Sequence, residues 1–567
     1  MVMNGPLFSR AALLALSLLS ACAAANAEDP PGGGAASRPI VGASGAFLVG
    51  RYAMGRTDLN VATDDFLKAL AADPQNTELQ QQAFDAALLV GRPEALSLAR
   101  ELSSNPAAML VLADQDVRTG NWAGAEAKFA ALPAQGLTQV LQPLLLAWAQ
   151  QGAGATDQAL STLRPYVEGN RYRGVFALHA AMINDMAGRT AEAARLYHLA
   201  LVEFGSLNLR LGSIVGSWQA RTGHGAEARA TIRAMTEGST DLAIAEPALE
   251  LAAAQPQAVT ASDGIAEAYL ALAATLQQQE APDFSMLLLR LALDLKPGFT
   301  SARLLMADIQ SVGGQLEGAS ATLAAVPAAD PLVSVVRLRQ ARLSERLGHE
   351  AEARRILEQT AEDYPDRPEP LTQLADMLAG QGHYAEATAT YGRAIARLAH
   401  PVATDWTLFY QRGVAYDHAH QWPLAEADFL HALELSPDQP FVLNYLAYAW
   451  AEQGRNLPRA RQMIEHAASL RPNEGAILDS LGWVMLLQGD KAGAIRWLER
   501  AVELLPEDST VNGHLGDAYA AAGRRMEAQV QWRRALILNP EPQDAAKLQA
   551  KLAGAGPAAA TAERRVE

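Results

Sequence analysis

Residues 509–540 read STVNGHLGDAYAAAGRRMEAQVQWRRALILNP, and their landmarks recur at one fixed interval along the chain. Pro540 stands 34 residues after Pro506, which stands 34 after Pro472. In the same step Gly516 repeats Gly482, Ala528 repeats Ala494, Trp532 repeats Leu498 and Ala535 repeats Ala501. Such a period marks one supersecondary unit used many times, so the fold is an array and not a globule around one core. Within the stretch, Leu515, Gly516 and Tyr519 share a helical face, Gly523 interrupts, and Ala528, Trp532 and Ala535 form a second apolar stripe that Pro540 ends. The unit is therefore a helical hairpin. Small residues at 516, 528 and 535 allow close helix approach, and Tyr519 and Trp532 fill the space between.

The order Leu-Gly, aromatic, Gly, Ala, aromatic, Ala, Pro resembles the tetratricopeptide repeat (TPR). The units ending at Pro506 and Pro437 fit it as well, the latter through Gly413, Tyr416, Ala425, Phe429 and Ala432, and Pro472 closes a fourth with one residue inserted near Asn456. Glycines 314, 348 and 382 keep the same step, as do 120, 154 and 188, and Pro74 with Ala62, Phe66 and Ala69 marks a first unit. The expectation is an all-α fold, an α-solenoid in the form of a TPR superhelix of about a dozen helix-turn-helix units.

The rhythm lapses once, around Glu237-Gly-Ser-Thr240, Glu246-Pro247 and Gln255-Pro256. It divides the chain into an N-terminal degenerate array at 46–234, an irregular connection at 235–261 and a C-terminal array at 262–542. Residues 543–552 read as a capping helix and 553–567 as a disordered tail.

The N-terminus sets the expected location. Arg10 precedes the apolar run Ala11–Leu19, too short to span a bilayer and shaped as a signal-peptide core over 1–21. Leu19-Ser20-Ala21-Cys22 follows, holding the only cysteine of the 567 residues. It resembles a bacterial lipobox, which implies lipidation of Cys22. Ala23 after the cysteine implies sorting to the outer membrane, with the protein facing the periplasm. The alternative is cleavage after Ala25-Asn26-Ala27, releasing a soluble periplasmic protein. Residues 22–45 lack apolar periodicity and include Asp-Pro-Pro-Gly-Gly-Gly, so they read as a flexible tether. Its Glu28–Gly45 part would reach about 25 Å.

Half of the chain is hydrophobic and only 6% aromatic, as stacked Ala- and Leu-rich helices require. The formal net charge of −16 opposes nucleic-acid binding, which needs a basic surface. No H-E-x-x-H, phosphate-binding Gly-Lys loop or G-x-S-x-G elbow occurs. His349 and His383 occupy equivalent interhelical turns, and His418, His420 and His431 lack a zinc-ligand pattern. Asp363 and Asp366 sit beside prolines as turn formers. The expectation is no catalysis, no cofactor and no metal.

At 100° per residue, the face of each first helix opposite the Leu-Gly-aromatic stripe lines the hollow of the superhelix. In the last five units that face carries Thr372, Gln373 and Asp376; Tyr410, Gln411 and Asp417; Asn444, Tyr445 and Tyr448; Asp479, Ser480 and Trp483; and His514 and Asp517. These are candidate peptide-binding residues, since Asn and Asp bond an extended backbone and Tyr and Trp supply amphipathic contact. Family members that clamp a terminal carboxylate use lysine and asparagine, and none of the six lysines here falls in this set.

Runs such as Leu443-Asn-Tyr-Leu446, Asp479-Ser-Leu-Gly-Trp483, His514-Leu-Gly-Asp-Ala-Tyr519 and Gln531-Trp-Arg-Arg-Ala-Leu536 resemble long TPR proteins of Gram-negative envelopes. The resemblance covers about residues 260–550. It implies an adaptor that holds a periplasmic carboxyl-terminal processing protease and presents peptidoglycan hydrolases to it. A scaffold of an exopolysaccharide-export or envelope-assembly complex is the first alternative. A carbohydrate-processing enzyme is the second, although no segment outside the array is long enough for a catalytic domain.

Overall fold

The computed structural model describes residues 43–554 except 57, 134, 135, 137, 170, 171, 238 and 278–280. Cys22, the leader, most of the tether and residues 555–567 lie outside the described residues. Among the described residues every regular element is helical. Hairpins pair α1 (Ala43–Gly55) with α2 (Leu59–Ala72), α3 (Thr77–Val90) with α4 (Glu94–Glu101), and α5 (Pro106–Thr119) with α6 (Trp122–Ala130). They continue as α7 (Thr138–Gly152) with α8 (Thr156–Glu168), α9 (Arg173–Met186) with α10 (Thr190–Phe204), and α11 (Leu209–Arg221) with α12 (Gly225–Glu237). Two short helices follow, α13 (Thr240–Ala243) and α14 (Glu246–Ala252), in the stretch where the 34-residue rhythm lapses.

A second series begins with α15 (Ala261–Gln277) and α16 (Pro282–Leu295), then α17 (Thr300–Val312) with α18 (Leu316–Ala324), and α19 (Val333–Arg346) with α20 (Glu350–Asp363). It runs on through α21 (Glu369–Gly380) with α22 (Tyr384–Ile395), α23 (Trp406–His418) with α24 (Trp422–Leu435), and α25 (Pro440–Glu452) with α26 (Leu457–Leu470). The last pairs are α27 (Gly475–Leu487) with α28 (Lys491–Leu504) and α29 (Ser509–Ala521) with α30 (Arg525–Ile537), and α31 (Pro542–Leu552) lies against α30. The arrangement is an α-solenoid in which odd-numbered helices are the first of each hairpin.

Local chemistry explains the hairpin. The turn between paired helices needs one left-handed residue, supplied by Gly120, Gly154, Gly188, Gly348, Gly382, Gly489 and Gly523, all at positive φ. His420 takes that place between α23 and α24 at φ 57°, which a side chain adopts only at a cost. Within a hairpin the partners approach too closely for a side chain: a Cβ on Gly516 would fall 2.4 Å from Trp532 Cδ1. Ala528, Trp532 and Ala535 are buried around that contact.

Long-range packing adds a feature that the period does not contain. Helix α15 lies on α7 and α9, and α16 lies on α3 and α5, so the second series begins inside the hollow lined by the first helices of the first series. One hydrophobic core runs through residues 53–215 and 261–309. Tyr269 of α15 donates its hydroxyl hydrogen to Asp114 Oδ1 of α5 at 2.9 Å, with both side chains buried. Arg210 of α11 donates through Nε to Glu267 Oε2 of α15 at 3.0 Å. The buried Trp148 of α7 gives its indole N–H to His179 Nδ1 of α9 at 2.9 Å, and burial pulls that imidazole's pKa down to about 4. The same occupancy recurs further on. Helix α13 rests on α19 and α21, where Asp241 meets Arg342 at 3.1 Å and Arg339 at 3.9 Å.

A close approach in this self-filled hollow is at Gly264, where a Cβ would stand 2.2 Å from Trp148 Cδ2. The indole is fully buried and has nowhere to move. Gly264→Ala is therefore expected to lower stability by about 1–3 kcal/mol through overpacking. It should also open the 253–261 connection to limited proteolysis. Gly513→Ala, whose Cβ meets only Leu548 at an ordinary 3.7 Å, should leave both unchanged. Equal behaviour of the two variants in urea unfolding would contradict this packing.

Candidate peptide-binding groove

The hollow is open where α23, α25, α27 and α29 stand side by side. A groove of about 510 Å³ is lined there by Asp417, Asn444, Tyr445, Tyr448, Ala449, Glu452, Gln453, Ala476, Asp479, Ser480, Leu505, Asp508, Thr510 and Val511. A second cavity of about 220 Å³ shares Tyr448, Glu452 and Thr510 with it and continues past Trp483, His514 and Asp517 to Asp544, Lys547 and Lys551 of α31. Positions 445, 448 and 452 recur at helical spacing on α25, which gives one edge of the groove a continuous face.

Each wall is fixed by bonds between successive repeats. Tyr445 donates its hydroxyl hydrogen to Asp417 Oδ2 at 2.9 Å, tying α25 to α23. Burial and the nearby Asp417 carboxylate push its phenol pKa upward, so the hydroxyl stays a donor. Trp483 donates its indole N–H to Glu452 Oε1 at 2.6 Å, tying α27 to α25. His514 of α29 meets both carboxylate oxygens of Asp479 through Nδ1 at 3.0 Å and stacks on Trp483 with ring centroids 4.2 Å apart. Lys551 Nζ reaches Asp517 Oδ2 at 2.7 Å and holds α31 to α29. In contrast, Asn444 Oδ1 is turned away from water and accepts no hydrogen bond from the described residues.

Of the residues selected from helical angle, Asp417, Asn444, Tyr445, Tyr448, Asp479 and Ser480 line the larger groove, and Trp483, His514 and Asp517 join Tyr448 in the adjoining cavity. Thr372, Gln373, Asp376, Tyr410 and Gln411 do not line either space. Thr372 donates its hydroxyl hydrogen to Pro368 O at the start of its own helix, Gln373 Nε2 donates to Leu338 O of α19 at 2.9 Å, and Asp376 accepts from the Tyr391 hydroxyl. Tyr410 packs edge-on to Tyr445, with centroids 6.1 Å apart. Helical angle alone missed Glu452 and Asp508. Glu452 was accessible as the i+4 neighbour of Tyr448, whereas Lys547 and Lys551 reach the site only through the docking of α31. Lysine is thus present at the end of the groove, although no first helix carries it there.

The described residues hold no group of three or more His, Cys, Asp or Glu side chains poised for a metal. No described helix is long and apolar enough to cross a membrane. The described residues form a helical-repeat array with an open groove near its C-terminal end.

Residues 336–367, within α19 and α20 and the turn after them, match the tetratricopeptide repeat family model. A TPR repeat-containing protein of Pseudomonas aeruginosa is 34% identical over 113 residues, which is 20% of this chain and 19% of that relative, so the match spans about a fifth of the relative's length. Among solved structures, the Cut9–Hcn1 hetero-tetramer of the APC/C is 15% identical with TM-score 0.37, over 90% of this chain and 96% of that one. Yeast Tom70 is 12% identical with TM-score 0.34, over 92% and 96%. The family model and the relative support the tetratricopeptide repeat as the unit of the array. Such repeats suggest protein or peptide partners.

The His514 pair makes this end of the array sensitive to pH. Burial pulls the imidazole's pKa down, but the charge and hydrogen bond of Asp479, with Asp517 and Glu452 beyond, outweigh it and leave the pKa above the ordinary 6.5. The folded state therefore binds the proton more tightly than the unfolded state. Its stabilisation is complete below pH 6.5 and is lost as pH rises through the higher folded-state value. Hydrogen exchange of α29 and α31 should accelerate across that rise, and His514→Gln should flatten the dependence. A wild-type profile as flat as the variant's would contradict the pairing.

Proposed function

We propose that this chain is a non-catalytic scaffold that holds extended segments of other proteins in the open hollow of its last four repeats. The observation that carries this is the contrast along one superhelix. The hollow over α3–α9 is filled by α15 and α16 and that over α19–α21 by α13, while among the described residues the stretch over α23–α27 keeps a groove lined with Asn444, Tyr445 and Tyr448. Half-buried tyrosines beside the Asn444 amide suit a polypeptide that offers both backbone and side chains.

The Leu19-Ser20-Ala21-Cys22 sequence supports a lipid anchor in the bacterial envelope, facing the periplasm from the outer membrane. Resemblance of residues 260–550 to envelope adaptors favours a carboxyl-terminal processing protease as one partner and peptidoglycan hydrolases as the presented clients. Holding enzyme and client on one molecule raises their effective concentration and needs no chemistry from the scaffold itself.

A photo-crosslinking residue placed at Ala449 or Ala476 in the groove should trap a protease or a cell-wall hydrolase in intact envelopes. The same residue at exposed Arg496 on α28, away from the groove, should not. The purified full chain should begin at a lipid-modified Cys22 by intact mass. Equal trapping at groove and outer positions would contradict the groove assignment, and a mature N-terminus at Glu28 would contradict the anchor.

A further inference from the structure

The occupants of the closed hollows show how this superhelix chooses what it holds. On α19 the first-helix face carries Arg339 and Arg342, and the segment lying there presents Asp241. On α11 the face carries Arg210, and the incoming α15 presents Glu267, with Lys296 also 3.6 Å from its Oε1. On α5 the face carries the acceptor Asp114, and α15 presents a hydroxyl donor, Tyr269. In each case the occupant brings the complement of the wall.

The open groove has the opposite polarity from α19 and α11. Asp417, Glu452, Asp479 and Asp508 line it, and no lysine, arginine or histidine is among its lining residues. Each carboxylate already accepts one bond within the chain, from Tyr445, Trp483, His514 and the Val511 N–H respectively. Every carboxylate has further lone pairs, so these bonds leave capacity for more donors. His514, on the far side of Asp479, gives its hydrogen bond to that carboxylate. Lys547 and Lys551 lie beyond, in the adjoining cavity, where they are paired with Asp544 and Asp517 at 2.7 Å.

An acceptor-rich wall with tyrosine faces is matched by a ligand that is rich in donors and positively charged. Lysine and arginine have donors only, and their cations also gain from aromatic faces such as Tyr448. A free terminal carboxylate or an acidic segment would instead be repelled by the four carboxylates. Resting on the scaffold assignment above, we infer that the segment held over α23–α29 is an extended cationic peptide, rich in lysine or arginine. Its positive side chains lie against Glu452, Asp479 and Asp508, and its recognition does not depend on a chain terminus.

The test is fluorescence anisotropy with the full chain and a labelled peptide of about ten residues alternating lysine and alanine, amidated at its C-terminus. The isosteric double variant Glu452→Gln/Asp508→Asn keeps the Trp483 acceptor and the helix cap but removes two charges. It should weaken the lysine peptide about tenfold, and the matching Glu434→Gln/Glu503→Gln variant on the second helices α24 and α28 should change it by less than about twofold. A glutamate–alanine peptide of the same length should not bind. Equal weakening in both variants, binding of the glutamate peptide as tight as that of the lysine peptide, or no binding of the lysine peptide would overturn the inference. Groove crosslinks to a neutral or acidic segment would remove this inference and leave the scaffold assignment standing, while a groove that traps nothing removes both.

Discussion

The contact of Gly264 with the indole of Trp148 decides how much of the superhelix is free. Because position 264 has no side chain, α15 settles onto α7 inside the hollow of the first six hairpins, and Tyr269 comes within hydrogen-bonding distance of Asp114, 155 residues away. Burial of Trp148, Tyr269, Leu288 and Leu289 in that hollow contributes about 1.5–3 kcal/mol for each large apolar side chain, before the entropic cost of ordering it. A binding surface that would otherwise be offered to solvent becomes core. The start of the second array thus acts as the first array's ligand.

That constraint concentrates function at one end. A repeat protein gains surface with each unit, but only surface that the chain leaves uncovered can recognise another molecule. Here α13 covers α19 and α21, and α15–α16 cover α3 to α9, so the last four repeats carry the accessible groove. The inter-repeat bonds Tyr445–Asp417, Trp483–Glu452 and His514–Asp479 serve two roles there. They fix the spacing of the first helices and hold carboxylates at the groove wall, which gives the wall its charge.

Much of this was legible in the sequence, for a physical reason. Hairpins stabilised between near neighbours write their constraints at a constant interval, so the turn glycines and the Gly516–Trp532 pairing appear as a 34-residue beat. Helical angle likewise placed Asn444, Tyr448, Asp479 and Ser480 on the inner face, because one helix fixes their relative direction. Closure of the other hollows was not legible, since Gly264–Trp148, Tyr269–Asp114 and Arg342–Asp241 join segments about a hundred residues or more apart and follow no period. Thr372, Gln373 and Asp376 share the angular rule with the groove residues yet spend their polar groups on bonds within and between helices. The two lysines at the groove's end depend on where a terminal helix docks, which no repeat pattern encodes.

Hydroxyl-radical footprinting of the intact chain tests the central claim most directly, because it reads the solvent access of individual aromatic side chains. Tyr448 and Trp483, at the open groove, should be oxidised many times faster than Tyr269 and Trp148, which are fully buried in the closed hollow. Comparable rates for the two pairs would show that α15 does not occupy the first hollow, and the assignment of function to the last four repeats would lose its basis.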